Sequence, residues 1–178
     1  YDQPFGNASA VPAYYCARFA RDAGMTRLLA GDGGDELFGG NVRYSRQYIF
    51  GLYHRLPQAL RNSVIEPIAL SAPMRAAPWL RKISRYVEQA RPDMPWRYET
   101  YNLLHYLGPE NVLHPDFLAT VDQQHPKELL QRAHAPFANA SLVNQLLGID
   151  ARFTLDDNDL PKVTGMCELA GVDVAFPL

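Results

Sequence analysis

Three observations predict a mainly α-helical chain. Apolar residues recur every three or four positions through most of the 178 residues, the spacing of helices that bury one stripe. Only one short apolar run, residues 26–30, has the length and following glycine of a strand. Pro57, Pro95, Pro115 and Pro126 stand at the starts of helical periods, where the first turn has no use for the missing N–H. With 47% hydrophobic and 20% charged residues, the proportions are globular and exclude a disordered, coiled-coil or collagenous chain. At this length roughly 70% of the unfolded surface can be buried, so a core needs no disulfides.

The elements follow in order. Ser9 is placed to cap a helix in which Val11, Tyr15 and Phe19 recur every fourth residue, and Gly24 closes it. Residues 26–30 (TRLLA) read as a buried strand. As the one clear strand in the chain, it predicts sheet partners from sequence outside these residues. Val42, Ile49, Leu52, Tyr53 and Leu56 share one face of a helix over about 41–56. Trp79, Leu80, Ile83, Tyr86, Val87 and Ala90 give the cleanest 3.6-residue period. Further helices are expected over 96–107, 115–121, 126–134 and 139–149. Residues 172–178 read as an unfinished element. Together with Tyr1 in place of an initiator methionine, they predict a piece of a longer protein.

Charge narrows the class. The net charge is −2, but residues 43–97 hold ten Arg or Lys against three acids, and residues 150–173 hold six acids against Arg152 and Lys162. The basic stretch reads as a solvated helix face or a contact for another domain. Nucleic acid is the sharper alternative, and a pI near 6.2 without Gly/aromatic RNA-binding patterns argues against it. No apolar run reaches the ~18 residues of a membrane helix, and no secretory signal pattern opens the chain. Cys16 and Cys167 are too few for a disulfide framework. A cytoplasmic protein is expected. Both cysteines read as packing residues. His54, His105, His114, His125 and His134 form no HxxxH pair and read as ordinary polar groups. Tyr44, Tyr48 and Tyr53 read as a packing face.

The chemistry is concentrated in Gly31–Asp32–Gly33–Gly34–Asp35–Glu36–Leu37–Phe38–Gly39–Gly40, where five glycines and three carboxylates fill ten positions after the expected strand. Glycines at a strand-to-helix turn let backbone N–H groups approach a ligand and supply positive φ. Such a turn suits phosphate, which Asp32 and Asp35 would repel without a cation between them. Mg²⁺ resolves the conflict, since it takes one or two carboxylates together with phosphate oxygens and water. The bland alternative is that Asp32 or Asp35 caps a helix starting near Gly34 and the glycines are turn residues.

The run GDGGDELFGG, followed by Arg43 and Tyr44 and preceded by Asp2, Pro4, Phe5 and Pro12, resembles the asparagine synthetase family, in the synthetase domain of its glutamine-dependent members. Downstream, Leu155–Asp156–Asp157–Asn158–Asp159–Leu160–Pro161–Lys162–Val163 is similar to that family's second signature. The resemblance implies the C-terminal helical part of an α/β ATP-pyrophosphatase-type synthetase domain, spanning residues 1–178. The phosphate-loop half (an SGGxDS-type motif) and a glutaminase domain would lie upstream. It implies a two-step reaction: ATP adenylates a carboxylate, aspartate or similar, with loss of pyrophosphate, and ammonia from glutamine then forms the amide.

Carried over residue by residue, Asp35 falls on the acid associated with Mg²⁺ and pyrophosphate. Asp32 falls on the acid that acts on the attacking amine and shares the metal. Glu36, Gly31, Gly33 and Gly34 fall in the nucleotide and substrate loop. Lys162 falls on the lysine that steadies charge building on the phosphates. ATP and Mg²⁺ are the implied cofactors, a homodimer is a compatible assembly, and the segment alone is expected to be inactive. Ala175, where the family carries arginine, favours a relative that adenylates a different carboxylate. A non-catalytic helical module that binds an anionic partner through residues 43–97 is the reading from another class.

Overall fold

The computed structural model describes residues 5–177; Tyr1, Asp2, Pro4 and Leu178, read above from sequence, lie outside the described residues. The chain forms two compact units, residues 1–40 with 147–178, and residues 41–146.

The first unit contains helix α1 (Ala10–Asp22), strand β1 (Arg27–Leu29), the short helix α2 (Gly34–Phe38), a π-helical stretch Ala151–Asp159, the helix Leu160–Ala170 and strand β2 (Asp173–Ala175). β1 and β2 pair in parallel, with Leu28 opposite Val174. The expectation that the strand's partner lies outside these residues is therefore corrected. The run that read as unfinished supplies it. A parallel pair needs a long crossover, and this one holds most of the chain. The strand is also not the buried one expected: Leu28 packs inward, but Leu29 is 75% exposed.

Small residues set the core. Ala17, Cys167 and Ala170 are buried together and let α1 approach the helix Leu160–Ala170 closely, with Tyr14, Leu28, Val163 and Val174 packed around them. Gly171, at φ +77, ends that helix, and the N–H groups of Gly171 and Val172 return to Glu168 O and Cys167 O, each at 3.0 Å. The Arg21 guanidinium donates to Ala170 O at 3.0 Å. Ser9 occupies the N-cap position as expected, but its side chain does not cap the helix. Asn7 Oδ1 instead accepts from the Ser9 N–H (3.0 Å) and hydroxyl (2.5 Å). Cys16 is exposed, against its expected packing role, because it lies off the stripe defined by Ala17.

The second unit begins with helix α3 (Val42–His54), whose Asn41 cap accepts from Arg43 N–H at 3.0 Å. Phe50 and Tyr53 of α3 pack with Ala69 and with Val87 and Ala90 of the helix Arg81–Ala90. Trp79 is 75% exposed and precedes that helix. Of the three tyrosines, Tyr44 and Tyr53 are buried and Tyr48 points out. Residues 96–107 are not one helix. A 3₁₀ turn Trp96–Tyr101 gives way to Leu103–Leu107 at Asn102, whose side-chain oxygen takes the Leu104 and His105 N–H groups and starts a new helix. Helices Pro115–Thr120, His125–His134 and Leu142–Asp150 fall close to expectation.

The basic stretch is partly internal structure. Arg97 is 1% exposed and donates to Gln47 Oε1 (3.0 Å), Pro92 O (3.0 Å) and Ala90 O (3.2 Å). His54 sits against it, with Nε2 2.7 Å from Arg97 Nη2 and Nδ1 3.3 Å from Asp93. Burial pulls the Arg97 pKa below its ordinary value, and the charge of Asp93 opposes that.

Candidate functional site

The two sequence motifs meet in the first unit. β1 delivers the chain into the loop, and Gly33 turns it into α2 with φ +99, a conformation that side chains other than glycine's resist. A Cβ there would lie 3.5 Å from Leu155 Cδ2, so Gly33 rests directly on the second motif. Gly33 is also the α2 N-cap, with no side-chain cap hydrogen bond. No capping hydrogen bond from either aspartate is seen among the described residues, while Gly33 and Gly39, at φ +99 and +72, are the turn residues that the bland reading expects. The Asp35 carboxylate folds over the Gly40 backbone, in the space a Cβ of Gly40 would fill.

Lys162 reaches the loop from the other motif. It stands in the first turn of the helix Leu160–Ala170 behind Pro161, and its side chain is only 13% exposed. Its Nζ donates to Asp159 Oδ1 at 2.7 Å and lies 3.7 Å from Asp32 Oδ1. Burial alone would lower the lysine pKa. The hydrogen bond and charge of Asp159, with the charge of Asp32, outweigh it and hold the ammonium above its ordinary range. Lys162 is therefore a fixed cation at neutral pH.

The acidic run is sorted by backbone geometry. Ala151–Asp159 is π-helical, and its wider turn brings residues four and five apart to one side. Arg152 Nη1 accordingly engages both Asp156 and Asp157, the latter at 2.6 Å. That leaves Asp159, next along the run after Asn158, to Lys162. Glu36 is half-buried. Burial first, then the charges of Asp150, Asp35 and Asp159, push its carboxyl above the usual range, and its own backbone N–H partly opposes them. Gly34 opens α2, and Gly31 lies at the surface with nothing within 4 Å of a Cβ built there.

The structure thus joins Asp32 to Lys162, sets Gly33 on Leu155, and brings Glu36 within the field of Asp35 and Asp159. Sequence reasoning missed Asp159, which accepts from Lys162 at 2.7 Å, and Arg152. The three-residue spacing from Asp159 to Lys162 on a helix was the available signal for the first. A π-helix has no comparable sequence signature, so the second had none.

The asparagine synthase profile matches residues 1–178. The chain belongs to the asparagine synthase family. Among curated asparagine synthase relatives, a putative glutamine-hydrolysing asparagine synthetase 2 of Methanocaldococcus jannaschii is 43% identical over 61 residues, 34% of this chain and 12% of that protein. The glutamine-hydrolysing asparagine synthetase 1 of Bacillus subtilis is 31% identical over 70 residues, 39% of this chain and 11% of its own length. The matched stretches thus span about a tenth of those proteins. No solved structure gives a significant match. The mainly helical architecture with one small parallel sheet fits the helical part of the family's synthetase domain.

No helix among the described residues is long and apolar enough to cross a membrane. Nor does any group of three or more His, Cys, Asp or Glu among them form a metal cage. A Mg²⁺ ion still fits the donor set. Asp32 and Asp35 are hard oxygen ligands, and one or two carboxylates completed by phosphate oxygens is how this ion is usually held.

Proposed function

We propose that this chain is the acidic-loop and lysine portion of a larger ATP-dependent, amide-forming synthetase. One observation carries the reading. Residues 130 positions apart converge, so that a lysine held by one acid faces a second acid on a glycine loop. A partly buried, permanently protonated ammonium costs desolvation and returns little as a surface pair. Aimed at phosphate oxygens whose charge grows as a carboxylate attacks the nucleotide, it stabilises the transition state more than the ground state. In this scheme Lys162 steadies the departing pyrophosphate, and Asp159 fixes the direction of its ammonium.

In this reading Asp32 accepts a proton from the attacking amine, and Asp35, with Asp32, would hold Mg²⁺. When bound, the ion neutralises phosphate charge and orients the leaving group. Gly31, Gly33 and Gly34 give the nucleotide backbone access, and Glu36 shapes the loop. Glutamine-derived ammonia, an upstream phosphate-loop half and a glutaminase domain complete the scheme.

The amide acceptor is a carboxylate such as aspartate. A related carboxylate is favoured by Ala175, which lies in β2 opposite Leu29 where the resemblance calls for arginine. Even a modest enzyme lowers its barrier by about 8 kcal/mol, more than one lysine and two carboxylates supply, so the 178 residues alone turn over no ATP. Carboxylate-dependent pyrophosphate release measured on the whole protein tests the proposal. Asp35→Asn abolishes Mg²⁺-dependent turnover if the loop holds the metal. Full activity in that variant, or turnover by the 178 residues alone, overturns it.

A further inference from the structure

Independently of the synthetase reading, we infer that the second unit carries a binding groove for a small organic phosphate. The groove, of about 420 Å³, lies between α3 and the helix Arg81–Ala90, within the roughly 300–1,000 Å³ of small-molecule sites. Each helix gives it one face. Arg46, Ile49 and Phe50 come from α3, at spacings of three and four, and Lys82, Arg85, Tyr86 and Gln89 come from the other helix, at spacings of three, four and seven.

Three cations therefore line one groove, and no acid does. α3 contains no acid at all, and Glu88, the acid of the other helix, is turned to Arg75 at 3.1 Å. Among the described residues, Arg46, Lys82 and Arg85 have no carboxylate within 4 Å. This separates them from Arg97 and Arg91, which the fold itself uses, the latter against Glu66 at 3.0 Å. Like charges gathered on neighbouring turns repel. An oxyanion with several acceptor oxygens relieves that repulsion, and guanidinium forks match phosphate best.

The wall between the cations is apolar. The Tyr86 hydroxyl is spent on Ile49 O at 2.7 Å, so the residue offers its ring, which stands 5.3 Å from that of Phe50. Ile49 is half-exposed beside them. Phe50 is buried behind them at 3% exposure, so Ile49 and Tyr86 form the apolar surface open to a ligand. Cations around such a wall select a phosphate ester with an apolar body over a bare ion.

Phenyl phosphate titrated into the ¹⁵N-labelled whole protein at low salt tests this by NMR. Saturable shifts are expected at residues 46–50 and 82–89, with affinity several-fold above that of inorganic phosphate. Arg46→Gln, Lys82→Gln and Arg85→Gln combined should weaken binding on the order of a hundredfold, and Arg85→Gln alone about tenfold. Lys162→Gln should leave it unchanged, which separates this groove from the synthetase site. All three cations are exposed, and preserved amide dispersion confirms that the variants fold. Absence of saturable shifts, wild-type affinity in the triple variant, or equal shifts with uncharged phenol would overturn the inference.

Discussion

Replacing Asp159 by Asn isolates the contact that makes Lys162 a fixed cation. The pair is 2.7 Å apart, with side chains 13% and 24% exposed, so it lies between a surface ion pair worth up to about 1 kcal/mol and a buried charged hydrogen bond worth about 1.5–3 kcal/mol. Asp32, at 3.7 Å, still opposes the lysine after the change. A coupling of about 1–2 kcal/mol follows, lowering Tm by roughly 3–6 °C for a chain of this size. A double-mutant cycle with Lys162→Met measures it directly. The pH dependence gives a second reading. Because the folded lysine pKa is raised, its contribution is fully present below the ordinary value of about 10.5 and fades as pH climbs through the folded value. The stability gap between wild type and Asp159→Asn should therefore be flat across neutral pH and close in strong alkali. A coupling below about 0.3 kcal/mol, or a gap indifferent to alkali, would refute the assignment.

Gly33→Ala should cost about 1–2 kcal/mol from positive φ, and thermal unfolding reads it. Since the new methyl would stand in ordinary contact with Leu155, strain rather than collision sets the cost. Arg97→Met should destabilise the second unit by about 1–3 kcal/mol, because Gln47 and three backbone or ring partners lose a buried donor while no charge is left unpaired; denaturant midpoints monitored at Tyr53 or Trp96 test this. Tyr53, buried and bonded to Glu66 at 2.8 Å, has its phenol pushed up to about 12, burial being the main cause. The unfolded chain then loses that proton first, so stability should fall by about 2–3 kcal/mol between pH 10 and 12. Tyr53→Phe should reduce that slope, the remainder coming from Tyr86 and Tyr101, whose phenols burial also raises.

The sequence showed what periodicity and local chemistry encode. The existence of α3, the proline-started helices and the strand-to-loop passage before Gly31 follow from spacing, but the buried face of α3 does not. Val42, Ile49, Leu52 and Leu56 are exposed, and only Tyr53 of the expected stripe joins Tyr44, Gln47 and Phe50 inside, because the aromatic rings and Gln47 rather than the aliphatic residues meet the rest of the unit. Long-range facts were not encoded that way. β2 is three residues long and pairs with β1 across most of the chain, so no local period announces it. Asn102 divides residues 96–107 because its side chain competes for N–H groups, an effect that apolar periodicity cannot see. In the candidate site, Asp32, Asp35 and Lys162 were named from residue type and resemblance, and the geometry joins Asp32 to Lys162. The division of labour in the acidic run was not, because it depends on a π turn that gives Asp156 and Asp157 to Arg152 and leaves Asp159 for Lys162.

The most direct test of the synthetase site is the rate of carboxylate-dependent pyrophosphate release by the whole protein carrying Lys162→Gln. Loss of a fixed donor at a charge-developing centre typically costs a factor of about 10²–10³ in kcat, and a fall of that size is expected here. Turnover within about twofold of the unaltered protein would contradict it.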